Sequence, residues 1–269
     1  MLLRGELIDD LRRAVRRTGN APAVTIEAVP LSGAIELGCV WTTAAVPLRD
    51  AISAWARSHP HLEAVLRVLA GVRSTVAPFG APTFEVQPVP LTAAELAGHE
   101  WTEHRDRFRR SLIQHAALAG PLAFAIAAAY GEMVDNVVSH AQIPERSAIS
   151  AVSAFGVENG GFEFAVGDLG RGVWASLRDK KENGAIDSDR VALDAAVRRG
   201  ATRRSHDRGS GFSELHKALA DLQATLRFRS GSAVLTLDGR GAERHAIEAE
   251  SPPLDGFQLA VWCASPRPT

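Results

Sequence analysis

Glu132 and Asn136 stand four residues apart, and two short glycine motifs follow them: Asp168-Leu169-Gly170-Arg171-Gly172 and Gly209-Ser210-Gly211. Side chains at i and i+4 lie one above the other on a helix. A carboxylate placed so can orient or deprotonate a water or hydroxyl nucleophile. An amide oxygen one turn later can join waters and phosphate oxygens around a magnesium ion. Asp168 would sit at the end of a strand, where it can accept a hydrogen bond from an exocyclic amine such as N6 of adenine. Glycines two and four residues further on let backbone approach a planar base closely. Gly209-Ser210-Gly211 directly precedes a helix-like segment, and free N–H groups at such a start favour an anion. Arg208 adjoins it, and Arg198, Arg199, Arg203 and Arg204 crowd the stretch before it. Guanidinium groups suit phosphate oxygens through paired donors, so this stretch reads as a triphosphate lid. Each piece alone has a plain reading: a solvated helix face, a glycine turn, a basic loop. In this order they describe a nucleotide pocket that is not a P-loop.

The elements that must position these residues can be read from periodicity. A helix over residues 122–141 puts Ile126, Tyr130, Val134, Val137, Val138 and Ala141 on one side and Glu132, Asn136 and Ser139 on the other, with Asp135 and His140 at the edges. The polar face is built from Asn, Asp, Ser and His, poor helix formers that suit binding better than solvation. Residues 147–158 and 161–167 read as a hairpin turned at Asn159-Gly160-Gly161, which delivers Asp168 to a strand end. Thr92-Ala93-Ala94-Glu95 is a capping-box pattern that opens a helix reaching about residue 119. Helices are expected over 188–199 and 210–222, the rest of 173–208 being irregular. Strands are expected over 225–229, 233–237 and 257–263.

Ahead of this part, residues 2–17 read as a basic amphipathic helix. Residues 23–29 and 34–43 read as strands, the second apolar at Ile35, Leu37, Cys39 and Trp41. Pro47 opens a helix to about residue 72 that Pro60 should kink or split. Residues 84–90 read as an edge strand or linker, because Pro88 and Pro90 remove ladder donors. The division is therefore a small α/β N-terminal region, 1–90, without a legible motif, and a second region, 91–269.

Bulk properties exclude several functions. With a net charge of -1, no global field recruits nucleic acid or an anionic membrane. The opening residues are too acidic for a signal peptide, and the apolar stretch around residues 118–134 is interrupted by Pro121 and Glu132, so a cytoplasmic location is expected. Cys39 and Cys263 form no CxxC and read as buried thiols. The nine histidines include no paired metal spacing, which argues against zinc.

Together the motifs resemble those of the GHKL superfamily, which includes gyrase-type topoisomerases, ninety-kilodalton heat-shock chaperones, histidine kinases and MutL. Glu132-Met133-Val134-Asp135-Asn136 resembles its N box, Asp168-x-Gly170-x-Gly172 its first glycine box, and Gly209-x-Gly211 a shortened second one. The run 254–262, a glycine before an alternating strand, is similar to the fold's last strand. The resemblance spans about residues 100–265 and is nearest to anti-sigma serine kinases and stand-alone histidine-kinase-type ATPase domains. It implies an α+β class, a two-layer α/β sandwich of the Bergerat type: a mostly antiparallel mixed sheet with helices on one face. It implies ATP and Mg2+ as cofactors. Asp168 would bind adenine N6, Asn136 would hold magnesium, and Gly170, Gly172, Arg208, Gly209, Ser210 and Gly211 would line base and phosphates. Glu132 would be the catalytic base of a protein kinase or slow ATPase in bacterial-type signalling. Phe212-Ser213-Glu214 departs from the superfamily's second glycine box, which motivates the alternative of a nucleotide-gated regulator with little turnover. A protein partner or substrate is implied, and a homodimer is compatible with it. No phospho-acceptor pattern surrounds His104.

Overall fold

The computed structural model describes residues 5–19, 26–72, 75–76, 83–90, 92–141, 151–158, 160–178, 186–199, 222–238, 247–248 and 253–264. Its centre is an eight-stranded sheet in which every described pairing is antiparallel. The strands are β1 (Thr75–Val76), β2 (Thr83–Pro88), β3 (Ala151–Glu158), β4 (Gly161–Asp168), β5 (Thr225–Gly231), β6 (Ala233–Asp238), β7 (Ile247–Glu248) and β8 (Leu254–Cys263), in the order β1-β2-β3-β4-β8-β5-β6-β7. The last strand of the chain is thus inserted at the middle, between β4 and β5. That insertion brings Asp168 beside Phe257 and Gln258.

Side-chain alternation along the strands feeds two cores. Phe155, Phe162, Phe164, Val166, Leu226, Phe228, Leu235, Leu259 and Val261 face one side, against α6 (His99–Gln114), α7 (Gly120–His140) and α9 (Asp189–Arg199). Val152, Ala154, Ala165 and Ala260 face the other, against α1 (Gly5–Thr18), α2 (Leu31–Thr43), α3 (Val46–Ala56) and α4 (Pro60–Leu69). Helices after residue 91 lie on one face, as the resemblance implies. The four earlier helices cover the opposite face, so the described molecule has three layers rather than two. Residues 1–90 also contribute β2, which pairs with β3 along its whole length. Antiparallel strands buried on both faces lose the polar-out alternation that a half-exposed sheet would show.

Several expectations need correction. The stretch read as a strand over 34–43 lies within helix α2. Its alternation was real, but Leu31, Ala34, Gly38 and Val40 are apolar too, so apart from the ion-paired Glu36 the middle of the segment is apolar on every side. A helix of that kind is at home only when surrounded, and nine residues of α2 are buried between the sheet and the neighbouring helices. Gly38 lets α4 approach: a Cβ there would stand 2.5 Å from Cγ1 of Val65. Of the strand read over 23–29, the described residues 26–29 form no strand. The helix read over 92–119 is two helices. Thr92 and Glu95 do form the capping box, but it opens only a one-turn α5 (Ala93–Leu96), and α6 starts afresh after Gly98. Pro60 splits the helix read over 47–72, as expected, into α3 and α4.

The region read as irregular after residue 173 contains α8 (Gly172–Arg178). Helix α7 also corrects the membrane reading in part. Its 21 residues are long and apolar enough, by length and composition alone, to cross a membrane. One face of it, from Ala123 through Val137, is buried on the sheet and α6. The helix expected over 210–222 lies outside the described residues except at its last position, which is a turn.

Candidate functional site

The C-terminal half of α7, the end of β4 and helices α8 and α9 enclose a cleft of about 680 Å³, including its open mouth. Asn136, Val137 and His140 come from α7, Asp168 from β4, and Gly172, Val173, Ser176 and Leu177 from α8. Leu193, Ala196 and Val197 of α9 close the back, and Phe228 and Phe257 form the floor with ring centroids 5.8 Å apart. The walls are mainly apolar with a few polar groups, the composition usual for a small-molecule pocket.

Asp168 is the most constrained of these groups. It is 2% exposed, and Oδ1 accepts from the N–H of Gly170 at 2.8 Å. Burial pushes the carboxyl up to about 7, opposed by hydrogen bonds from the backbone N–H groups of Gly170 and Phe257. Its backbone is held as firmly. Gln258 donates from Nε2 to the main-chain oxygen of Asp168 at 3.2 Å. Gly256 lies against that oxygen at φ +78°, and a Cβ there would come within 1.9 Å of it. The β5–β8 register shifts at Ser230/Gly231, leaving Asp255 and Gly256 without partners on β5. This bulge delivers the N–H of Phe257 to the carboxylate.

The glycines of the Asp168 motif divide their work. Gly172, at φ +72°, lines the cleft and opens α8. The following N–H, of Val173, donates to Oγ of Ser230 at 2.9 Å, and that hydroxyl donates to the main-chain oxygen of Gly256 at 3.1 Å. Gly170 does not line the cleft. It packs on the C-terminal end of α7, where a Cβ would stand 2.2 Å from the carbonyl oxygen of Ala141. The N–H of Arg171 donates to that same oxygen at 2.9 Å, supplying a partner to a helix-end carbonyl. Gly170 therefore locks α7 to β4.

Asn136 and Asp168, from separate elements, face one cleft, as their types and order implied. Glu132 does not join them on its walls. It is exposed, one helical turn or about 6 Å along α7 from Asn136. Arg208, Gly209, Ser210 and Gly211 lie outside the described residues. Among the described residues no three His, Cys, Asp or Glu side chains cluster as a metal cage. The donor set fits magnesium only as an ion carried on phosphates, with the Asn136 oxygen as one ligand among waters and phosphate oxygens. His104 is wholly buried, its Nε2 2.8 Å from the Tyr130 hydroxyl, which removes it as a phosphoryl acceptor at the surface. Cys39 and Cys263 are both buried free thiols.

Sequence reading missed α8 and the aromatic floor. A signal for α8 was present: Val173, Ser176 and Leu177 recur at helical spacing directly after a positive-φ glycine. Phe228 and Phe257 read only as strand residues, because nothing in a strand pattern says which apolar side chain meets a cavity. Comparison with models of protein families, with curated proteins and with solved structures found no match.

Proposed function

We propose that the protein binds an adenine nucleotide with magnesium in this cleft, as a member of the GHKL superfamily with the Bergerat-type arrangement. The observation that carries the reading is the shared cleft of Asn136 and Asp168, with an apolar and aromatic bed between helix and sheet. The base lies over Phe228 and Phe257, its exocyclic amine donating to the Asp168 carboxylate. The phosphates pass Asn136. Magnesium, when bound on the phosphates, neutralises their charge and fixes their geometry.

Asn136 orients that group, and Glu132, one turn back on α7, would align a water or hydroxyl for attack. This makes the protein an ATP-dependent protein kinase or slow ATPase in signalling, acting on a protein partner. A second reading has its own support. Glu132 is exposed and outside the cleft walls, which fits a nucleotide-gated regulator that binds a partner with little turnover.

Calorimetric titration with ATP, GTP and their magnesium complexes tests the shared claim. ATP should bind, and GTP, which presents a carbonyl in place of the amine, should bind about 10–100-fold more weakly, the worth of a hydrogen bond to a charged group. Asn136→Leu should remove the magnesium dependence while leaving magnesium-free ATP binding nearly unchanged. Equal affinity for ATP and GTP, or no binding of either, overturns the reading.

A further inference from the structure

The opposite face of the sheet carries a second cleft, of about 670 Å³ including its open mouth, between the start of α2 and strands β4, β8 and β5. None of its lining residues belongs to the first cleft. Its charged groups are not equally served. Arg229 is almost wholly buried and donates through Nη1 to Asp9 and to Glu36. Glu163 caps α2: its two carboxylate oxygens accept from the N–H groups of Leu31 and Ser32 at 2.9 and 2.8 Å. Arg227 is ion-paired with Glu36 but is not hydrogen-bonded to it. Its Nε stands 3.6 Å from Oε2 of Glu36, too far for a hydrogen bond, and its Nε and Nη2 are buried with no acceptor among the described residues.

Those two atoms form the guanidinium edge that takes a carboxylate through parallel N–H groups. The same edge of Arg107 grips Glu85 in this molecule, at 2.8 and 2.7 Å. A buried guanidinium is costly unless such an edge is satisfied. Gln258 supplies a complementary group. Its Nε2 is committed to the main-chain oxygens of Asp168 and Asp255, while its Oε1 is buried with no donor among the described residues. Arg227 pairs with Ala260 on β8, two residues from Gln258, a step of about 7 Å. Trp262, two residues beyond on the same face, lines the same cleft.

We infer that this second cleft binds a small organic carboxylate that also carries a hydroxyl or amide donor. The carboxylate sits on the Nε/Nη2 edge of Arg227, the donor on Oε1 of Gln258, and the apolar body against Trp262. The inference does not depend on the nucleotide reading.

The test is an NMR titration that follows the arginine Nε–H resonances, with mandelate, phenylacetate and inorganic phosphate as probes, each with and without saturating ATP. Mandelate should bind and shift the Arg227 resonance. Phenylacetate, which lacks the hydroxyl, should bind about 10-fold more weakly, and phosphate more weakly still. Arg227→Gln should weaken mandelate at least about 10-fold. Arg227→Lys, which keeps the charge and removes the paired edge, should do the same and carries the test if the Gln variant does not fold. Saturating ATP should not displace mandelate. The proposal is overturned by no probe binding at tens of millimolar, by undiminished affinity in Arg227→Lys, by phosphate equalling the carboxylates, or by displacement with ATP.

Discussion

Replacing Asp168 with Asn separates what this carboxyl does for binding from what it does to stability. Burial raises its pKa from 3.8 to about 7, a difference of roughly 3 units and so about 4 kcal/mol of differential interaction. The folded state binds more protons than the unfolded chain between pH 4 and 7. Stability from this group is therefore fully present below pH 4 and is lost as pH rises through 7. Asn mimics the protonated form, and its amide oxygen can still accept from the N–H of Gly170. The variant should match the wild type near pH 4 and exceed it by up to about 4 kcal/mol at pH 8, the excess growing across the interval. Urea denaturation at pH 4.5, 6 and 8, with equal m-values, measures that difference without interference from other titrating groups. Binding should change in the opposite sense. With the amide oxygen turned to Gly170, the NH2 group faces the cleft, where it opposes an exocyclic amine and matches a carbonyl. ATP affinity should fall at least about 10-fold and the preference for ATP over GTP should vanish. An excess that does not vary with pH refutes the account of the buried carboxyl. Undiminished ATP selectivity refutes its place at the base.

Three further outcomes are expected. Glu132→Gln should leave ATP affinity within about twofold, because the residue stands outside the cleft walls, and should abolish any phosphate release or phosphoprotein formation; equal turnover in the variant, measured with labelled ATP, removes Glu132 as the base. Burial opposes ionisation of Glu85, but the hydrogen bonds from Arg107 and His104 outweigh it and hold the carboxyl down at about 2. This stability is present above pH 4.5 and lost as pH falls toward 2, so Arg107→Met should cost about 3 kcal/mol at pH 7, the low end for breaking a buried pair because Arg107 is partly exposed, and the deficit should shrink in acid. Gly170→Ala should cost about 3 kcal/mol, since its Cβ meets a backbone carbonyl that cannot yield, whereas Gly120→Ala, with no atom near its Cβ, should be near neutral in the same thermal melts.

The parts of the fold legible in the sequence were those where one pattern had one solution. Helix α7 carries apolar residues along a single side, and the β3–β4 hairpin turns at a glycine with φ +80°. Pro60 was expected to kink or split its helix, and α4 starts at it. Helix α2 was misread because its period-two alternation sits inside a segment with no polar face. Periodicity reports one buried side, and it fails where every side is buried. The third layer was hidden for the same reason. Whether residues before 90 lie on the second sheet face depends on contacts such as Glu163 capping α2 across 132 positions of sequence, and no local pattern encodes them.

The candidate site was legible in its polar residues and not in its frame, and the two halves explain each other. Asp168 could be named from its place before Gly170 and Gly172, yet its chemistry depends on distant residues. Phe257 donates to it from a bulge 89 positions later, made possible by Gly256, and Gln258 fixes its main-chain oxygen. Gly170 joins β4 to α7 through Ala141, and so sets the relation between Asp168 and Asn136. The members of this motif divide in the structure: Asp168 and Gly172 line the cleft, and Gly170 holds β4 against α7. Substitutions at Gly170 and at Gly172 both act through stability, the first because its Cβ meets the Ala141 carbonyl and the second because its backbone lies at φ +72° with Oγ of Ser230 3.0 Å from the added Cβ, so affinity is read separately only at Asp168 and Asn136.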